Sequence, residues 1–118
     1  MATGMEVPPF FTDDETLAAE LADAARAAHD PLWRLPLWRG YESAVTSRIA
    51  DLTNNPSYNL AGAITAALFL NRFVEKSASW LHLDIPGWVD RPKPGRRLGG
   101  EANAARALYG LLKERYGR

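Results

Sequence analysis

Apolar positions fall at helical spacing in three places along this chain. In a fourth place they strictly alternate, and in a fifth they merge into a run. Leu17, Leu21, Ala24 and Ala28 mark one face of a helix over residues 13–28. Thr12-Asp13-Asp14-Glu15 precedes it with the form of a capping box, in which Thr12 would accept from the Glu15 amide. The apolar stripe is thin, so this helix is expected to pack at a surface. Tyr41, Ala44, Val45, Arg48 and Ile49 predict a second helix over 40–49. Between the two, Pro31 and Pro36 forbid helix, and Trp33 and Trp38 suggest an extended strap pinned by two indoles. Asn54-Asn55-Pro56 reads as a turn.

From Leu60 the chain is apolar on every side through Leu70. That pattern predicts a helix over 60–75, capped by Asn59 and buried all round. Ser79 to Ile85 reads as a strand, with Leu81, Leu83 and Ile85 on one face and Trp80, His82 and Asp84 on the other. Residues 86–100, with three prolines and four glycines, are expected to form a loop. Ala104, Leu108, Leu111 and Leu112 predict a final helix over 101–116. Residues 1–11, with Gly4, Pro8 and Pro9, read as an extended lead-in to a segment spanning 12–118. A buried helix feeding a strand and then a helix is α/β grammar. A single strand, with a short second one at 49–53, makes too small a sheet to stand alone.

Composition narrows the function classes. A chain of 118 residues is enough for one domain. Lys plus Arg and Asp plus Glu number 14 each, so no global field draws in nucleic acid or an acidic membrane surface. The Trp and Tyr residues are not interleaved with cations as a base-stacking platform would be. There is no cysteine, which fits a reducing cytoplasm. MATGMEVPPF has neither the basic nor the apolar region of a signal peptide. No run reaches the roughly 20 apolar residues of a membrane span.

Candidate chemistry is sparse. His82 and Asp84, two apart on one strand face, are both possible zinc ligands, but no further ligand has fitting spacing and the other histidine is the distant His29. A buried histidine bonded to a neighbour explains the pair better. The basic loop of Arg91, Lys93, Arg96 and Arg97 leads to a helix start, where anions can bind, yet it matches no phosphate-loop spacing. Ser43, Ser47, Ser57, Ser77 and Ser79 have no nucleophile-elbow context.

Four blocks carry a resemblance. LWRLPLW (32–38), SRIADLTNN (47–55), AGAITAALFLNRFV (61–74) and WLHLDI (80–85) are similar to the C-terminal part of the leucyl aminopeptidases, the cytosol aminopeptidases of peptidase family M17. The likeness extends over residues 9–118, more loosely beyond Ile85. It implies a helix-rich C-terminal part of a three-layer α/β/α sandwich with one or two strands. It also implies a cytoplasmic, hexameric parent enzyme that removes N-terminal residues from peptides using two divalent ions, zinc or manganese. The family's metal-binding and catalytic motif, NTDAEGR, is absent from the sequence. The expectation is therefore no catalytic residue and no metal in this chain, which alone would be inactive. By the resemblance, Pro86 and Val89 would wall the substrate pocket, with Trp88 reshaping it. Thr3-Gly4 echoes the family's TLTG segment too briefly to assign a site. The alternative expectation is a non-catalytic, self-associating or protein-interaction module derived from the same fold. A small binding protein using the Trp-rich strap is a third.

Overall fold

The computed structural model describes residues 3–47, 51–53 and 60–117. The fold grows around a short central strand, β1 (Pro9–Phe11), whose three residues are all buried. The expected lead-in thus ends as the middle of a sheet. Helix α1 (Glu15–Ala27) carries the chain across to β2 (Trp33–Arg34), which pairs with β1 in parallel. On the other side β3 (His82–Leu83) pairs antiparallel, placing Leu83 beside Phe10 and His82 beside Phe11.

The pleat divides the interior. Phe10 joins Leu17, Ala18, Leu21 and Ala25 of α1 and Ala107 and Leu111 of the last helix, α3 (Ala105–Tyr116), with Leu81 and Leu83 packed alongside. On the opposite face Phe11, completely buried, stacks on the His82 ring. Helix α2 (Gly62–Asn71) and a 3-10 helix (Arg39–Val45) pack together, and α2 reaches β1 without joining the Phe10 cluster. This is the expected helix-rich α/β arrangement. Among the described residues, strand content is spread over five short strands rather than one or two.

Local chemistry explains where the elements start and stop. Helix α1 begins at Glu15, two residues later than expected, because Asp14 rather than Thr12 is the cap: its Oδ1 accepts from the Leu17 amide at 3.0 Å. The Thr12 hydroxyl instead accepts from the Asp14 amide, and the Glu15 carboxylate is taken by Arg34 at 2.7 Å rather than reaching back. The helix ends in a Schellman motif. The amides of His29 and Asp30 donate to the carbonyls of Arg26 and Ala25, which puts His29 at φ +49.

The Trp strap is held by backbone, not by indoles. The amides of Trp33 and Leu35 donate to the carbonyls of Pro8 and Phe10, and both indoles are exposed. The second helix is a 3-10 turn ending at Val45; Arg48 and Ile49 lie outside the described residues, as do the Asn54–Pro56 turn and Asn59. Asp51 to Thr53 form no strand, and the Thr53 amide donates to the Val45 carbonyl. Helix α2 stops at Asn71, and the amides of Arg72, Phe73 and Val74 tighten into i to i+3 bonds. The expected 86–100 loop contains a hairpin, β4 (Trp88–Val89) with β5 (Gly99–Gly100). Its tip is Pro94-Gly95, where Gly95 has φ +76 and Lys93 and Arg96 exchange backbone bonds.

The Asp14 cap gives a pH signature. The Leu17 amide, then the Ser79 hydroxyl at 2.7 Å, hold its carboxyl below the ordinary value. A carboxyl depressed on folding stabilises above its unfolded value of about 4, and that contribution is lost as pH falls further. Asp14→Asn is expected to flatten the decline of the melting temperature between about pH 4 and pH 2. An unchanged acid limb in a pH-dependent melting series would reject the assignment.

Candidate functional site

Strand β3 delivers the chain to the segment singled out in the sequence. The Asp84 amide donates to the Pro9 carbonyl at 3.0 Å, the last bond to the sheet. Ile85 then turns into solvent, and Gly87 reverses the chain at φ +65, a conformation that disfavours any side chain. Both faces of that turn are clasped. The Gly87 amide donates to Asn103 Oδ1 at 3.1 Å, and the Gly87 carbonyl accepts from the Glu101 amide at 3.0 Å. Immediately beyond the turn, Trp88 pairs with Gly100 and Val89 with Gly99, which fixes both residues in the hairpin.

Pro86 is half-buried and Val89 is buried, while Trp88 between them is 51% exposed. The Trp88 ring therefore projects from the hairpin. Two open grooves flank α1, one against α3 and one against β2, and neither includes Pro86 or Val89. Asn103 is the residue that sequence reasoning missed here. It fell inside the helix expected over 101–116, and nothing local marked it for gripping a turn 16 residues earlier.

His82 sits under aromatic rings. Its centroid lies 5.8 Å from Phe11 and 6.2 Å from Trp80, both nearly parallel. Burial pushes its pKa down, opposed in part by Asp84. A neutral imidazole between rings is a packing group, and the pair gathers no further donors. Among the described residues no three His, Cys, Asp or Glu side chains are grouped to hold a metal ion. The remaining residues of the sequence contain none of these four types. The residues present therefore do not fit a metal pair.

The anion site suggested by the basic loop is already filled. Asp30, with 4% exposure, lies at the start of α3. Its Oδ1 accepts from the Ala104 amide at 3.2 Å, and Oδ2 accepts from the Arg106 and Ala107 amides at 3.1 Å. Lys93 pairs with Glu6, and Arg96 pairs with Glu101 at 2.9 Å. The protein thus supplies its own anion where a phosphate would sit.

Residues 1–109 match the family Peptidase_M17, described as the cytosol aminopeptidase family, catalytic domain. A probable cytosol aminopeptidase of Synechococcus sp. is 43% identical over 110 residues, which is 92% of this chain and 21% of that protein. The crystal structure of a cytosol aminopeptidase from Coxiella burnetii superposes on 98% of this chain and 25% of its own, with a TM-score of 0.92 and 46% identity. The bottromycin maturation enzyme BotP, solved in complex with Mn, superposes on 96% of this chain and 25% of its own, with a TM-score of 0.89 and 34% identity. The chain thus spans about a fifth to a quarter of the relatives it matches.

Proposed function

Because the chain belongs to the cytosol aminopeptidase family, peptidase family M17, we propose that it is the C-terminal, architectural part of a metal-dependent leucyl aminopeptidase and is not catalytic alone. The observation that carries this reading is the extent of the match: almost the whole of this chain superposes on one quarter of the Coxiella enzyme, and its described residues group no three metal-ligating side chains. In the whole enzyme two divalent ions, zinc or manganese, would activate water and polarise the carbonyl of the first peptide bond. This chain's part is to complete the sheet and support the pocket. Pro86 and Val89, held by the Asn103 and Glu101 clasp, would form wall positions for the peptide's N-terminal side chain, and Trp88 would reshape that wall. The whole enzyme would be a cytoplasmic homo-oligomer, a hexamer as the resemblance implies. No helix among the described residues is long and apolar enough to cross a membrane.

A second reading, a non-catalytic module that self-associates, is favoured by the chain's exposed Leu70 and Phe73. Calorimetric titration tests the first reading. Neither Mn2+ nor Zn2+ should bind the purified chain below about millimolar concentration, the range of unspecific carboxylate contacts. Two tight stoichiometric sites would overturn it.

A further inference from the structure

The turn that bears the proposed pocket wall is placed by a side chain rather than by the three-stranded sheet. The sheet lets go of the chain at Asp84, and Pro86 has no amide hydrogen with which to bond again. At Gly87 both backbone groups are engaged, the carbonyl by the Glu101 amide and the amide by Asn103 Oδ1. The Glu101 bond belongs to the hairpin. It extends the register of Trp88 with Gly100 and Val89 with Gly99 by one further pair. In a regular antiparallel pair the Gly87 amide would return to the Glu101 carbonyl. Asn103 takes that amide instead, so its side chain decides where the ladder ends and how the chain between β3 and β4 is aimed.

Asn103 is itself held from behind. Its neighbour Ala104 is buried at φ +68, and the Ala104 amide donates to Asp30 Oδ1 at 3.2 Å. Oδ2 of the same carboxylate accepts from the Arg106 and Ala107 amides, and Ala107 lies in the Phe10 cluster. On the other flank the Glu101 carboxylate pairs with Arg96 at 2.9 Å. A chain of bonds thus runs from the core through Asp30 and Ala104 to Asn103, and from there to Gly87. Every link behind Asn103 is made without its side chain. Removing that side chain frees the turn and leaves the start of α3 capped, which is how a group that orients differs from one that supports.

We propose that Asn103 is a positioning residue for the side-chain pocket: through Gly87 it sets where Pro86 and Val89 stand, and so how strongly a large N-terminal side chain is held. This rests on the functional reading above and assigns control of that same wall. The test joins the chain to an enzyme it matches, with these 118 residues replacing the corresponding quarter of the Coxiella burnetii cytosol aminopeptidase. Asn103→Ala is expected to raise KM for L-leucine p-nitroanilide about tenfold, the loss of one ordinary hydrogen bond, with kcat unchanged. L-alanine p-nitroanilide, whose methyl group is too short to lean on the wall, should change by less than about twofold. Asn103→Asp keeps the acceptor and should restore the leucine value to within about twofold. Equal losses on both substrates, no loss on either, or no rescue by Asn103→Asp would overturn the proposal. In the isolated chain, Asn103→Ala should speed amide exchange at Gly87 about tenfold and leave Ala107 unchanged. Equal acceleration at both amides would make Asn103 part of the α3 cap and overturn the proposal as well. A chimaera without peptidase activity before any substitution would instead sink the functional reading, and the proposal with it.

Discussion

Phe10→Ala is expected to cost about 3–5 kcal/mol, as large-to-small changes of buried aromatics do. Phe10 is 1% exposed and is the sheet's main contribution to the cluster that joins α1 and α3. Removing its ring leaves a hole bounded by Leu17, Leu21, Ala107 and Leu111, on two helices that a two- or three-residue strand cannot pull together. Domains typically hold about 5–15 kcal/mol in total, so this loss is a large share. The urea midpoint of unfolding measures it. Trp33→Ala is the control, because an exposed indole on β2 should change stability by no more than about 0.5 kcal/mol. Equal effects from the two substitutions would show that the core lies elsewhere.

Asp30→Ala is expected to cost about 2–4 kcal/mol, because it strands three amides at the start of α3 that one buried carboxylate now satisfies. The carboxylate also opposes the positive end of the helix dipole. Arg106, which donates to the carbonyls of Ala28 and His29, loses its nearby anion as well. The loss should appear first as faster amide exchange at Ala104, Arg106 and Ala107. Asp30→Asn, which keeps an acceptor, should recover part of it. If Ala and Asn at position 30 are equally harmless, α3 is held by packing alone.

Periodicity made the first and last helices and the inner strand positions legible. However, the segment expected to be a helix buried all round leaves Leu60 and Leu70 exposed, the 40–49 helix is a 3-10 turn, and Ile85 leaves the strand face for solvent. Leu81 and Leu83 pack into the Phe10 cluster and His82 lies opposite, as strict alternation requires. Helix ends were less legible, because several side chains competed for one role. Thr12, Asp13 and Asp14 can all cap, and the distance from Asp14 to the Leu17 amide decided it. Strand β1 was hidden by its length. Pro9-Phe10-Phe11 is too short to show a period, and only pairing on both sides reveals it as central. The β4–β5 hairpin was hidden among glycines and prolines that also read as loop, although Lys93-Pro94-Gly95-Arg96 carries a turn signature. Asp30 could not be found from sequence at all. Its partners lie 74 to 77 residues away, and nothing local marks a carboxylate as the cap of a distant helix. The proposed wall positions, Pro86 and Val89, rest only on family resemblance, since these side chains carry no chemistry of their own and line neither groove beside α1.

The central claim is that these residues shape an aminopeptidase without supplying its reactive centre. Hydrolysis of L-leucine p-nitroanilide by the purified chain, with and without Mn2+ or Zn2+, addresses it most directly. The expected result is a rate equal to buffer containing the same metal. A metal-dependent rate that rises with chain concentration and vanishes with a chelator would contradict it.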